Sequence, residues 1–132
     1  MKIIVDTNLW IFFLIGKRLS LLKKLLTNPN ITVYVCDELI LEFKDVSQRE
    51  KIRKYISEQD VWDTLKIMDA YCQFIQIKTK AQSSIRDAKD LYLLSLAETI
   101  QADYILTGDK DLLVLGSHLQ TRILTYSEYS NL

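Results

Sequence analysis

A chain of 132 residues, 48% hydrophobic, with three glycines, one proline and no repeat or low-complexity stretch, is suited to one ordered domain spanning residues 1–132. Seventeen basic residues balance seventeen acidic ones, which excludes whole-molecule attraction to polyanions; nucleic acid would have to be gripped locally, around carboxylates gathered in a pocket. No apolar run approaches the roughly 18 residues of a membrane span, and the N-terminus lacks a signal-peptide pattern, so a cytoplasmic protein with no membrane partner is expected.

The chain opens on the strand-like run KIIV, closed by Asp6. Thr7 and Asn8 follow and are good helix-capping types, so Asp6 taken alone reads as a local acceptor at a strand-to-helix turn. A first helix is expected from Leu9 to Leu26, broken by Asn28 and Pro29 before the second strand, ITVYV. Helices then run to about Cys72. In the first of them Leu39, Phe43 and Val46 form an apolar stripe, and Glu42 lies beside that stripe rather than opposite it. Asp37 and Glu38 differ: they fall in the first turn, where acid complements the helix dipole.

Lys44 to Asp69 is polar and helical. Ile52, Tyr55 and Ile56 make a narrow apolar face, with Val61, Trp62, Leu65 and Met68 on the next turns, as in a helical pair packed on an edge. Arg49, Lys51, Arg53 and Lys54, like Lys17, Arg18, Lys23 and Lys24, read either as a solvated face or as a wall meeting phosphates. FIQI is the third expected strand. In the helix expected from about Asp87, Asp90 heads a stripe continued by Leu93, Leu94, Ala97 and Ile100; Asp87 can serve as N-cap, with Asp90 closing a capping-box-like arrangement. YILT follows as a strand, Gly108 allows a tight turn, and Asp109 can cap a short helix beginning with Leu112, Leu113 and Leu115. RIL is the last expected strand.

Short β-rich runs alternating with longer helical segments are the cadence of an α/β fold. Continuous apolar strands are buried on both faces, which predicts a parallel sheet with helices on each side. Ligands in such sheets collect beyond the carboxyl ends of the strands, where Asp6 and Asp109 sit.

Acids inside apolar patterns need a common purpose. Two unit charges about 4 Å apart interact by roughly 4 kcal/mol at an effective dielectric of 20, so Asp6, Glu42, Asp90 and Asp109 converging on one site would require a positive partner. Protonation or a lysine would relieve the repulsion, but an all-oxygen site favours Mg²⁺ or Mn²⁺. Asp111 reads either as a further, outer ligand or as a first-turn acid. The lone histidine, His118, gives no base for a histidine-dependent hydrolase, and Cys36 and Cys72 lack metal-site spacing and read as reduced thiols. Phosphate-loop and dinucleotide fingerprints are missing. Metal-assisted hydrolysis remains.

DTN at Asp6 to Asn8, Glu42 in CDELILEF, Asp90 in RDAKDLYLLSLA and TGDKDLL from Thr107 together resemble the PIN-domain family, nearly end to end. The resemblance implies a three-layer α/β/α sandwich around a parallel sheet of about five strands. It also implies that Asp6, Glu42, Asp90 and Asp109 bind metal and catalyse cleavage. Thr7 or Asn8 would position water near the metal. The implied activity is metal-dependent endonucleolysis of single-stranded RNA. Many small bacterial members act as the toxin of a toxin–antitoxin pair, which adds an antitoxin protein and a second copy of the chain as expected partners. Two other readings follow from the same residues: a non-catalytic module binding RNA or protein, and a metal-dependent nuclease acting on DNA.

Overall fold

The computed structural model describes residues 1–83 and 88–132, with side chains in the second stretch from Asp90 onward. The capping role expected of Asp87 lies outside the described residues. The elements run β1 (Lys2–Val5), α1 (Thr7–Ile15), α2 (Leu19–Leu26), β2 (Thr32–Val35), α3 (Asp37–Ser47), α4 (Glu50–Arg53), α5 (Glu58–Tyr71) and β3 (Gln73–Phe74). They continue with α6 (Ala88–Ile100), β4 (Tyr104–Leu106), α7 (Lys110–Leu115), β5 (Ser117–His118), β6 (Thr121–Leu124) and α8 (Tyr126–Ser130).

The strands form one sheet in the order β3-β2-β1-β4-β6-β5. All neighbours are parallel except β5, which runs antiparallel to β6. Ile3, Ile4 and Val5 are three consecutive residues with no exposure. A strand's side chains alternate between faces, so such a run requires cover on both sides of the sheet. Helices supply it, and the expected α/β sandwich holds. Five parallel strands match the expectation; the two-residue β5 is an addition, made possible where Gly116 adopts φ +70 at the end of α7. The chain leaves β1 toward β2 and β3 on one side and returns to β4 and β6 on the other, so the order reverses between β1 and β4. This is the crevice where ligands gather in open parallel sheets. The pairing there is tight: the Asp6 amide donates to the Leu106 carbonyl at 2.9 Å.

Several expected boundaries move. The single helix from Leu9 to Leu26 is two helices. α1 ends in a Schellman turn, in which the Arg18 amide donates to the Phe13 carbonyl at 2.8 Å and the Lys17 amide to Leu14 at 3.2 Å. Lys17 takes the left-handed conformation (φ 53) that glycine usually occupies there. The apolar pattern runs on through this break and hides it. FIQI shrinks to Gln73–Phe74, both exposed, plus one more bond from the Ile75 amide to Val35, because its single neighbour β2 is four residues long. On α5 the buried stripe is Val61, Thr64 and Met68; Trp62 is 62% exposed, and Tyr55, just before this helix, is 64% exposed, against the expected apolar faces. Thr64 takes the inward position because its hydroxyl donates to the Asp60 carbonyl within the helix. Gly108 does not have a positive φ, so the turn before Asp109 does not draw on glycine's conformational freedom.

The stripes that were expected to bear acids stand. Leu39, Phe43 and Val46 are buried on α3, and Leu93, Leu94, Ala97 and Ile100 on α6. Cys36 and Cys72 are free thiols.

Candidate metal centre

Asp6 leaves β1 at the sheet's switch point with a fractional exposure of only 2%. It occupies the N-cap position of α1, yet its side chain makes no capping bond. The carboxylate turns instead toward the neighbouring strand, where Thr107 Oγ1 donates to Asp6 Oδ2 at 2.7 Å. The same hydroxyl oxygen accepts from the Asp109 amide at 3.0 Å. A buried threonine hydroxyl thus locks the acid after β1 to the loop after β4, using its single proton on the carboxylate and a lone pair on the loop.

Asp109 is the N-cap of α7, and its Oδ1 accepts from the Asp111 amide at 2.8 Å. The capping bond fixes one Asp109 carboxylate oxygen at the start of α7, with Asp111 exposed in the same first turn. Asp90, 6% exposed at the start of α6, faces them. Asp90, Asp109 and Asp111 each present a carboxylate oxygen, and these atoms lie within 4.8 Å of one another. Burial raises the Asp6 pKa, the Thr107 hydroxyl opposes the rise, and the nearby Asp109 charge adds to it.

Glu42 is half-buried on α3. Tyr92 Oη donates to Glu42 Oε1 at 3.5 Å and lies 3.4 Å from the buried Thr7 hydroxyl. Burial pushes the Tyr92 phenol far above its ordinary value, with the negative charges of Glu42 and Asp6 adding to the effect. Tyr92 is therefore a neutral hydrogen-bonding group at any working pH.

Of the residues expected to bind metal, the fold brings Asp90, Asp109 and Asp111 into one group. It ties Asp6 to that group through Thr107 and holds Glu42 at the Tyr92 hydroxyl. Asn8 is exposed and, with Thr107 and Gly108, lines a cavity beside the acids. The basic residues Lys17, Arg18, Lys23, Lys24, Arg49, Lys51, Arg53 and Lys54 are all exposed. Arg49 and Arg53 make surface pairs with Asp45 and Glu58. His118 is engaged elsewhere, with Glu98 at 2.7 Å. Two residues that the sequence did not single out, Thr107 and Tyr92, make the connections. Thr107 stood in plain view beside Gly108 and Asp109 but read as the end of a strand.

The donor set suits a hard divalent cation: three carboxylates in reach of one point, a fourth beside them, and no imidazole or thiolate among the oxygens. An acidic crevice of this kind at the carboxyl ends of β1 and β4 can hold a cation and, through it, an anionic substrate.

The family model of the PIN domain matches residues 2–111, and the chain belongs to the PIN-domain family. Among solved structures, a chain in the crystal structure of VapBC2 from Rickettsia felis, bound to a DNA fragment from their promoter, is similar to it. That likeness has a TM-score of 0.60 and 18% sequence identity and covers 93% of this chain and 97% of the other; at this identity it speaks for the fold. No curated protein matches the sequence. Among the described residues no helix is long and apolar enough to cross a membrane.

Proposed function

We propose that this PIN domain is a Mg²⁺- or Mn²⁺-dependent endoribonuclease that hydrolyses phosphodiester bonds of single-stranded RNA, as the toxin of a toxin–antitoxin pair. The observation that carries the reading is the convergence of Asp90, Asp109 and Asp111 oxygens within 4.8 Å, beside the buried Asp6. PIN domains are generally metal-dependent nucleases, and this chain retains the acids that such chemistry needs.

In this mechanism Asp90, Asp109 and Asp111 would hold the cation, and Asp6 would complete its surroundings from the β1 side. A divalent cation bound there would supply charge neutralisation at the scissile phosphate and a more acidic attacking water. Thr107 keeps Asp6 and the Asp109 loop at a fixed separation, so the acids are preorganised rather than recruited. Glu42, which accepts from the Tyr92 hydroxyl, would orient the attacking water. Thr7 supports that geometry through Tyr92, and Asn8 lies at the mouth. The partners in this reading are single-stranded RNA, an antitoxin protein and a second copy of the chain in a homodimer, all in the cytoplasm. The likeness to VapBC2 supports a protein partner. Exposed Leu41, Trp62, Tyr71 and Phe74 supply apolar surface for association.

The test is cleavage of a mixed single-stranded RNA pool by purified protein with Mg²⁺ or Mn²⁺ and with EDTA, alongside Asp90→Asn and a matched DNA pool. Metal-dependent cuts in RNA alone, lost in the variant, are expected. Cutting of DNA alone would replace the RNA assignment. Folded, inhibitor-free protein that cuts neither pool would turn the reading to a binding module.

A further inference from the structure

Next to the acids lies a cavity of about 330 Å³, walled by Asn8 and Phe12 from α1, Thr107 and Gly108 from the β4 loop, and Thr125 and Tyr126 at the start of α8. We propose that it seats one nucleobase of the RNA, adjacent to the phosphate held at the acids; this rests on the nuclease reading above.

The two sites share a wall. Thr107, whose hydroxyl binds Asp6 and accepts the Asp109 amide, also lines the cavity. An occupant therefore sits immediately beside the acidic group, within the reach of a neighbouring nucleotide. The lining contains no charged side chain, which argues against a phosphate or a second cation as the occupant. Aromatic and aliphatic surface, flanked by the Asn8 carboxamide and the Thr125 hydroxyl, suits a flat, neutral ring with hydrogen-bonding edges. The volume is at the low end of the roughly 300–1,000 Å³ typical of small-ligand clefts, sized for one base rather than an extended segment.

The aromatic walls are held in place. Phe12 is 61% exposed on a helix whose neighbours Leu9, Trp10, Ile11 and Phe13 are all buried. Phe13 meets the Phe12 ring edge-to-face with centroids 5.8 Å apart, and the Tyr126 ring likewise at 5.0 Å. One buried ring thus pins the two that border the cavity, giving a stacking platform that loses little side-chain freedom when a base arrives. The space beside Gly108 is open: a Cβ there would meet no atom within 4 Å. Tyr126 lies past residue 111, where the family match ends, so this wall is supplied by the chain's own C-terminal segment.

The test uses the full chain as wild type, Phe12→Ala, Phe12→Tyr and, as a control for an exposed aromatic away from the cavity, Tyr55→Ala. Three quantities are measured: binding of a short labelled mixed-sequence single-stranded RNA by fluorescence anisotropy, steady-state cleavage with Mn²⁺, and Mn²⁺ affinity by calorimetry. Phe12→Ala is expected to weaken RNA binding and raise KM by about tenfold, the scale of one lost base–aromatic stack. Its kcat and Mn²⁺ affinity should hold, Phe12→Tyr should restore binding, and Tyr55→Ala should match wild type. Wild-type KM and RNA affinity in Phe12→Ala would overturn the subsite while leaving the nuclease standing. RNA binding that depends on Phe12 in a wild-type protein that cuts nothing would support the subsite and refute the nuclease. A wild type that neither binds nor cuts RNA overturns both.

Discussion

On the strand flank of the acidic crevice, Asp6, Thr107 and Asp109 are joined by contacts of 2.7 and 3.0 Å around a fully buried hydroxyl. On the helix flank, Tyr92 reaches Thr7 and Glu42 at 3.4 and 3.5 Å, at the outer limit of hydrogen bonding. The strand flank hangs from adjacent strands of one sheet, so its geometry is inherited from backbone pairing. The helix flank depends on how α1, α3 and α6 pack, and leaves more slack. In the mechanism proposed above, Asp6 and Asp109 on the strand flank would help to hold the cation, and Glu42 on the helix flank would adjust to water or substrate.

The largest effect that can break this contrast is catalytic. Asp109→Asn should lower kcat/KM by about a thousandfold or more, because in the proposed mechanism Asp109 is a direct cation ligand. Glu42→Gln should cost roughly ten- to a hundredfold, the scale of a group acting from the outer shell. Steady-state cleavage of one RNA by both variants decides the matter, and equal losses would make the two flanks equivalent.

Stability sharpens the same contrast. Thr107→Val strips a buried carboxylate of its donor and should cost about 1–3 kcal/mol, whereas Tyr92→Phe removes only long contacts and should cost below about 1 kcal/mol. Urea denaturation of the two variants measures both, and a costlier Tyr92→Phe would place the tighter network on the helix side.

A smaller effect concerns Asp6 in metal-free protein. Its folded-state pKa is raised above the ordinary 3.8, chiefly by burial. The associated stability is therefore fully present below that ordinary value and lost as pH rises through the raised one. Asp6→Asn, whose amide oxygen still accepts from Thr107, should remove this loss. In EDTA its Tm should exceed that of wild type at neutral pH by roughly 2–5 °C, with the gap closing toward pH 4. Saturating Mn²⁺ should favour wild type again, since the cation stabilises the state that binds it. A gap independent of pH would mean that the Asp6 charge is not what strains the site.

The smallest expected change lies outside both flanks. Lys17→Gly should stabilise by roughly 0.5 kcal/mol in thermal melts, because glycine takes the left-handed position in the turn after α1 without the steric cost borne by lysine. A loss of stability would mean that the lysine makes a compensating contact.

The acids were legible in the sequence because each breaks a local pattern: Asp6 ends an apolar strand, Glu42 borders a helical stripe, and Asp90 heads another. Their supports broke nothing and went unseen. Thr107 is a β-branched residue at a strand end, and Tyr92 an ordinary aromatic within a helix, so propensity absorbed both. The same reasoning explains the misplaced boundaries. Apolar residues continue across Gly16 to Arg18, so periodicity joined α1 to α2. FIQI has the composition of a strand but only a short neighbour to pair with. On α5 the turn that buries Val61 and Met68 leaves Trp62 outside, a choice fixed by the helix's rotation against the sheet.

The sequence by itself determined the alternation of strands and helices, the apolar stripes and the short set of acids in question, since those follow from local period and composition. Only the tertiary structure decided which acids meet. Asp6 and Thr107 stand 101 residues apart in sequence and share a hydrogen bond because β1 lies against β4. That pairing is decided by the packing of the whole sheet, and no local segment encodes it.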